Sequence, residues 1–282
     1  MLISVIIPTC NRNDLLGKCL ELLDPKKQII ADRYEVIVTD DNKDFLAKKL
    51  IEDNYSFAKW VEGPRNGPAT NRNNGARLAK GEWLIFIDDD CLPDEAILDH
   101  YKKAIEAHPD CLAFEGTIIP DDWELVKKDL SECPVNIEGG NFWSANVCIQ
   151  SGLFATIGGF NENYLIAAQE DQQIKLDIER RGQKIVFLKD CKVVHPVRFT
   201  TFKKQLTRIP IASKNFILYA YQNKDLLEYK SLSQFAFKQY MFHLRSAVNF
   251  IKLGKVKSML IAFAWLVYGV PLNIINMLKI KR

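Results

Sequence analysis

At 282 residues the chain is long enough for one large α/β domain with an appendage. With 48% hydrophobic and 26% charged residues, no low-complexity tract and no internal repeat, its composition excludes a disordered or fibrous protein. The formal charge of +3 hides an asymmetry, because Arg198 to Arg282 holds 15 Lys/Arg against Asp225 and Glu228, a net +13 that leaves −10 on the first 197 residues. An acidic body with a basic tail suggests a tail that meets an anionic surface. The seven cysteines are odd in number and scattered, and imply neither a disulfide framework nor a zinc site. A reducing, cytoplasmic setting is expected. Met1 to Pro8 is short and uncharged, and reads as a first strand rather than a signal peptide.

In chain order, residues 2–7 are expected to form an apolar strand halted by Pro8 and followed by the polar turn Thr9-Cys10-Asn11-Arg12. Asn13 or Asp14 can cap a helix that carries Leu15, Leu16, Cys19, Leu20 and Leu23 at helical spacing. Tyr34 to Thr39 is a second strand ending in Asp40-Asp41-Asn42. A helix over about 44–53, a short strand near Ala58–Val61, a Gly/Pro loop over 63–68 and a helix over 69–79 follow. Strand 82–87 delivers Asp88-Asp89-Asp90, and Pro93 starts a helix through about 107. Beyond residue 110 the pattern is less regular, with strands over 112–119, 142–149 and 184–188 and a helix over about 169–181.

This alternation predicts a Rossmann-like α/β fold, a mostly parallel central sheet with helices on both faces. Ligands of such sheets bind beyond the carboxyl ends of the strands. The clusters at Thr9–Arg12, Asp40–Asn42 and Asp88–Asp90 should therefore converge on one crevice. Three carboxylates ending a buried strand are costly unless something positive meets them. Mg²⁺ or Mn²⁺ with a diphosphate is the economical candidate, and a capped polar strand end is the plainer one. No Gly-x-Gly-x-x-Gly, no P-loop and no Gly-x-Ser-x-Gly elbow occurs, which disfavours those three chemistries.

The segments Val5–Arg12, Glu35–Asp41 and Phe86–Asp90 resemble the three N-terminal motifs of the family 2 glycosyltransferases, inverting enzymes of GT-A fold. The similarity continues through Pro68–Ala76, Gly158–Glu162, and Glu170-Asp171 followed by Arg180-Arg181-Gly182, in the family's order over roughly residues 2–196. The resemblance implies that Pro8, Thr9, Asn11 and Arg12 border the donor nucleotide, and that Asp41, or Asp40 in its place, accepts a hydrogen bond from the base. It implies that Arg72 and Asp89 face the donor, that Asp88 and Asp90 form the Asp-x-Asp motif with Asp90 the main ligand of Mn²⁺ or Mg²⁺, and that His195 joins the metal shell unless it is structural. Inversion needs a base for the acceptor hydroxyl. Glu170-Asp171 opens a helix whose dipole favours ionised carboxylates, so Asp171 is the expected base and Glu170 its helper. Gln173 stands where the family often has a further Asp, which leaves the choice between the two open. Asn141 and Trp143 lie in a segment that resembles the floor of the acceptor site, where Trp143 either stacks on a sugar or belongs to the core.

The expected organisation is a GT-A domain over 1–197 and a basic, helical, membrane-associating extension over 198–282. Met259 to Leu278 is 20 residues without a formal charge, interrupted by Pro271, Asn273 and Asn276. An interfacial helix with a cationic collar explains it better than a spanning helix or one that docks or forms oligomers. The function implied is transfer from a nucleotide-diphosphate sugar, UDP-sugar favoured, to a glycan or polyprenyl-linked acceptor at the inner face of the cell membrane. Nucleic acid is not an expected partner, since no binding module accompanies the charge. A sugar nucleotidyltransferase, or a non-catalytic subunit that binds nucleotide sugar or tethers a partner to membrane, is the alternative.

Overall fold

Seven consecutive buried residues, Ile3–Thr9, form β1, with β2 (Tyr34–Asp40) on one side and β4 (Trp83–Ile87) on the other, both parallel to it. A strand covered on both faces needs a continuous apolar run, and Ile3-Ser4-Val5-Ile6-Ile7 is one. The computed structural model describes residues 1–30, 33–225 and 231–280. Residues 226–230 and 281–282 of the expected extension lie outside these. The backbone divides into two compact units, one of Met1–Asp121 with Pro134–Pro196, the other of Asp122–Cys133 with Val197–Arg282.

The first unit follows β1 with α1 (Asn13–Leu22), β2, α2 (Leu46–Asn54), β3 (Ala58–Glu62), α3 (Pro68–Leu78), β4, β5 (Leu92–Pro93), α4 (Ile97–Ala107) and β6 (Ala113–Pro120). It resumes, after α5 (Trp123–Val126) and β7 (Ser131–Glu132) of the second unit, with β8 (Asn146–Gln150), α6 (Ser151–Ile157), α7 (Glu170–Glu179) and β9 (Ile185–His195). The sheet runs β3-β2-β1-β4-β8-β6-β9-β5. The pairings β1–β2, β1–β4, β2–β3 and β6–β9 are parallel, and the mostly parallel GT-A sheet is the expected one. Ile3, Val5, Ile7, Ile85 and Ile87 face one core with Leu16, Leu20 and Tyr101, while Ile6, Leu84 and Phe86 face the other with Phe154, Phe160 and Ile174. Strand order reverses between β1 and β4, which puts the switch-point crevice at their carboxyl ends. The register Ile6↔Phe86, carried three residues on, sets Thr9 opposite Asp89.

Three elements differ from expectation. Strand 142–149 begins only at Asn146, because Gly139, Gly140 and Phe142 take positive φ to turn their amides elsewhere. Strand 184–188 continues to His195, since a bulge opposite Gly116/Thr117 absorbs three residues and pairing then resumes at Lys192. Pro93 pairs with Val193 in β5, and the helix starts at Ile97 instead.

In the second unit, β7 pairs antiparallel with β10 (Arg198–Phe199). Three helical segments follow, α8 (Phe202–Gln222), α9 (Leu232–Lys252), and α10 (Val256–Ala264) running through a π turn at Trp265–Gly269 into α11 (Val270–Ile280). The Thr201 hydroxyl caps α8 and the Ser231 hydroxyl caps α9. The π turn, in which Val270 N–H donates to Trp265 O, precedes Pro271 and widens the helix where its ring would otherwise strike the preceding turn. Asp129 accepts hydrogen bonds from the Lys257 and Ser258 amides and so holds the first turn of α10.

Candidate active site

At the carboxyl ends of β1 and β4, Arg12, Asp89 and Asp90 come into contact, with the imidazole of His195 beside them. Thr9 Oγ1 donates to Asp89 Oδ2 at 2.6 Å. Arg12, at the start of α1, spans two carboxylates, with Nη2 2.8 Å from Asp89 and Nη1 3.0 Å from Asp90. His195, carried in by the long β9, places Nε2 3.3 Å from the other oxygen of Asp90. The ligand atoms of Asp90, Cys91 and His195 all lie within 4.8 Å of one another. Burial lifts the Asp89 carboxyl to about 7, against the pull of Arg12 and Thr9.

A second set centres on Arg72, buried in α3, whose guanidinium lies 2.8 Å from Asp88 and 3.4 Å from Glu170 and stacks over the Phe160 ring at 5.6 Å. Asp88 is thus paired to Arg72, and the attraction overrides burial to hold its carboxyl below the ordinary range. Glu170 and Asp171 open α7, which Gln169 enters in the left-handed region at φ +76°. The helix dipole favours the ionised forms, and burial acts against it. Glu170 is raised to about 8 by burial and then by Asp171, while Asp171 is raised by burial against Arg72 and the hydrogen bonds of Ser144. Asp171 Oδ1 is buried without a hydrogen-bond partner among the described residues.

Asp40 and Asp41 lie beside this cluster at the end of β2, where the Asp41 amide donates to Thr9 O at 2.9 Å. Asp40 is fully buried and spends one oxygen on the Asn42 amide (2.8 Å) and the other on Trp60 Nε1 (3.3 Å). Asp41 accepts from the Arg65 amide at 2.8 Å and keeps partial exposure, so of the pair it is the one able to meet a ligand. A Cβ on Gly63 would lie 2.3 Å from Asp41 Oδ1, so this loop approaches Asp41 closely because it lacks a side chain there. Pro8 pairs with Thr39 inside the sheet, and Asn11 is exposed with φ +56°.

Among the described residues, Asn141 and Trp143 make no hydrogen bond or ion pair with Asp88, Asp89, Asp90, Glu170 or Asp171. Trp143 is half-buried against the core that contains Cys91 and Ala145. Asn141 is held in place by its own backbone, with its amide donating to Glu115 Oε2 at 3.1 Å and its carbonyl accepting from Gln172 Nε2 at 3.0 Å. Sequence reasoning missed Glu115. This buried carboxylate in β6 gathers the amides of Gly140, Asn141 and Phe142 (the last at 2.8 Å) and the side-chain amide of Asn136. An acid inside the apolar run Ala113-Phe114-Glu115 was the signal. The loop so held leads to Ser144, which faces Asp171.

The Glycosyl transferase family 2 sequence profile matches residues 4–157. The chain is 35% identical over 230 residues, 76% of its length and 73% of the relative's, to an uncharacterized glycosyltransferase of Haemophilus influenzae. It is 32% identical over 146 residues to the GalNAc(5)-diNAcBac-PP-undecaprenol beta-1,3-glucosyltransferase of Campylobacter jejuni, where the match spans 45% of this chain and about half (46%) of the relative. The fold matches the mannosyltransferase PcManGT of Pyrobaculum calidifontis, solved with GDP-Man and Mn²⁺, at TM-score 0.58 and 20% identity over 98% of this chain and 73% of that one.

Proposed function

The chain belongs to glycosyl transferase family 2, and from this premise we propose that it is an inverting, metal-dependent enzyme working at the inner face of the cell membrane. It moves a sugar from a nucleotide-diphosphate sugar, UDP-sugar favoured, to a glycan or polyprenyl-linked acceptor in cell-surface polysaccharide or glycolipid synthesis. One observation carries this reading. Five carboxylates, Asp88, Asp89, Asp90, Glu170 and Asp171, are gathered at the ends of β4 and α7 around Arg12 and Arg72. Burial raises the carboxyls of three of them, Asp89, Glu170 and Asp171, while Arg72 holds that of Asp88 low, a pattern of perturbed acids that marks a functional cleft.

The donor set fits a divalent cation. Asp90 offers an oxygen on the side away from Arg12, and His195 Nε2 stands beside it. Mn²⁺ or Mg²⁺ held there supplies Lewis-acid stabilisation of the departing diphosphate. The PcManGT complex with GDP-Man and Mn²⁺ supports that choice. Arg12, Thr9 and Asn11 border the nucleotide, and Asp41 accepts the imide N–H of a uracil. Asp40, both of whose oxygens are engaged, shapes the loop that Asp41 belongs to. Arg72 orients Asp88 toward the donor and holds Glu170 in place. Asp171, with Oδ1 unpartnered, takes the proton from the acceptor hydroxyl. A polyprenyl-linked acceptor is supported by the undecaprenol-linked substrate in the name of the Campylobacter relative.

Asp171→Asn tests the assignment. It should abolish sugar transfer while Mn²⁺-dependent binding of the donor nucleotide, read as thermal stabilisation across UDP-, GDP- and dTDP-sugars, persists. A binding or tethering subunit would show no transfer to lose.

A further inference from the structure

Helix α11 turns polar residues toward the interior of the helical unit, beside the small apolar core of Ile217, Ala220 and Phe235. Asn273 of α11 is 1% exposed, with neither amide atom hydrogen-bonded among the described residues. Asn276 donates from Nδ2 to the buried Ser213 Oγ of α8 at 3.1 Å. The outer side of the same helix is large and apolar. Val256, Leu260, Phe263 and Val267, at steps of four, three and four, are all exposed, Val267 to 76%. Ile275 and Leu278 continue the exposed side beyond the π turn. A helix folded into water would reverse this arrangement.

Helix α9, which packs along α10, repeats the pattern. Phe237, Leu244, Val248 and Ile251 form an exposed stripe at steps of seven, four and three, Phe237 to 66%. The two stripes run into each other through exposed Leu253 and Val256 at the turn between the helices. Lys238, Arg245 and Lys252 follow Phe237, Leu244 and Ile251 by one residue each, so exposed cations line one flank of the α9 stripe along its whole length. The segment from Ser231 to Ile280 contains no Asp or Glu.

We propose that the stripes of α9 and α10–α11 together form one face that lies in the plane of an anionic lipid surface, with α9 as much a part of it as the uncharged segment 259–278. This rests on the reading that the enzyme works at a membrane, and adds which surface docks and how. The occupant follows from charge. A second copy would set one cationic flank against another with no acid between Ser231 and Ile280 to offset them, whereas anionic headgroups attract such a flank. The orientation follows from Arg245, at mid-helix, which a spanning α9 would carry into hydrocarbon. Lying flat, the helix buries its stripe among acyl chains and leaves its flank among headgroups.

The experiment is co-sedimentation of the full chain with vesicles of phosphatidylcholine alone and with added phosphatidylglycerol, with circular dichroism to verify folding. The wild type should bind the anionic vesicles and come off them in alkaline carbonate. The triple variant Lys238→Gln, Arg245→Gln, Lys252→Gln should bind about 100-fold more weakly, at about 1 kcal/mol per cation near the surface. Phe237→Ser, Leu244→Ser, Ile251→Ser should lose binding even at low salt. If the wild type binds and both α9 variants bind as tightly, this face is wrong while the membrane reading survives. Retention after alkaline carbonate would mean a spanning helix and overturn the in-plane orientation. A wild type that ignores vesicles, with a dimer in solution that the apolar variant dissociates, would overturn both.

Discussion

Replacing Arg72 by Met removes the one cation shared by Asp88 and Glu170 and leaves a side chain of similar length to fill the space. Arg72 is 4% exposed, and its guanidinium lies 2.8 Å from Asp88 and 3.4 Å from Glu170, so its loss strands buried carboxylates rather than a surface pair. Breaking a buried pair from one side costs about 3–5 kcal/mol. At about 2–4 °C per kcal/mol for a unit of this size, Tm should fall by about 6–20 °C at pH 8. The pH dependence has a definite sign. Arg72 now holds Asp88 below its ordinary range, and without it burial, the larger influence, raises that carboxyl above its unfolded value. Glu170 already sits at about 8. Carboxyls raised in the folded state bind protons that the unfolded chain has released, so stability drops as pH rises toward the raised values. At pH 5.5, where these groups keep their protons, the loss of Tm should shrink to about half. Melting the metal-free wild type and Arg72→Met by circular dichroism at both pH values decides the matter. A loss of equal size at the two pH values, or of less than about 2 °C at pH 8, would refute the claim that Arg72 neutralises the α7 pair.

Two further outcomes follow from the same geometry. Asp90→Asn should remove the Mn²⁺-dependent part of the thermal stabilisation given by a nucleoside diphosphate while leaving the Arg12–Asp89 pair, and stabilisation that persists at wild-type size would take Asp90 out of the metal shell. Glu115→Gln exchanges a carboxylate that accepts three backbone amides for a group that must turn a donor toward some of them. The cost should be about 3 kcal/mol, read as a fall in Tm, and an unchanged Tm would show that the 139–142 loop needs no anion.

Much of the amino-terminal half is readable because each strand is an apolar run that ends abruptly in polar residues. Ile3–Ile7 and Trp83–Ile87 can be recognised as buried strands on pattern alone, and with them the convergence of their polar ends on one crevice. The individual bonds are another matter. Thr9 and Asp89 are 80 positions apart, and Arg72 and Glu170 are 98 apart. Pairing them requires the register of a sheet whose partners are chosen by packing, not by local pattern. The Asp40–Asp41 choice was equally closed to sequence, since both acids end the same strand and only the fold shows that Trp60 and Asn42 consume the first. Asn141 to Ala145 misled for a physical reason. Phe142, Trp143 and Ala145 run on into the apolar Val147-Cys148-Ile149 as one strand would, but the Glu115 carboxylate competes for the backbone amides and wins. His195 lies seven residues beyond the strand expected over 184–188, because Lys189, Asp190 and Lys192 interrupt the apolar pattern just where the bulge lengthens β9.

The carboxy-terminal helices expose a different limit. Hydropathy sums residues without regard to the side they occupy, so Asn273 and Asn276 count against a membrane role for 259–278 wherever they point. In the folded unit both point inward, toward α8 in the case of Asn276, and what they subtract from the average they do not subtract from the exposed face. The stripe of α9 is diluted in the same way by the cations beside it, although those cations are what a lipid surface would select. A window that averages over 360° of a helix is blind to both arrangements, and separating them takes the burial of each residue, which only the packing of α8 through α11 supplies.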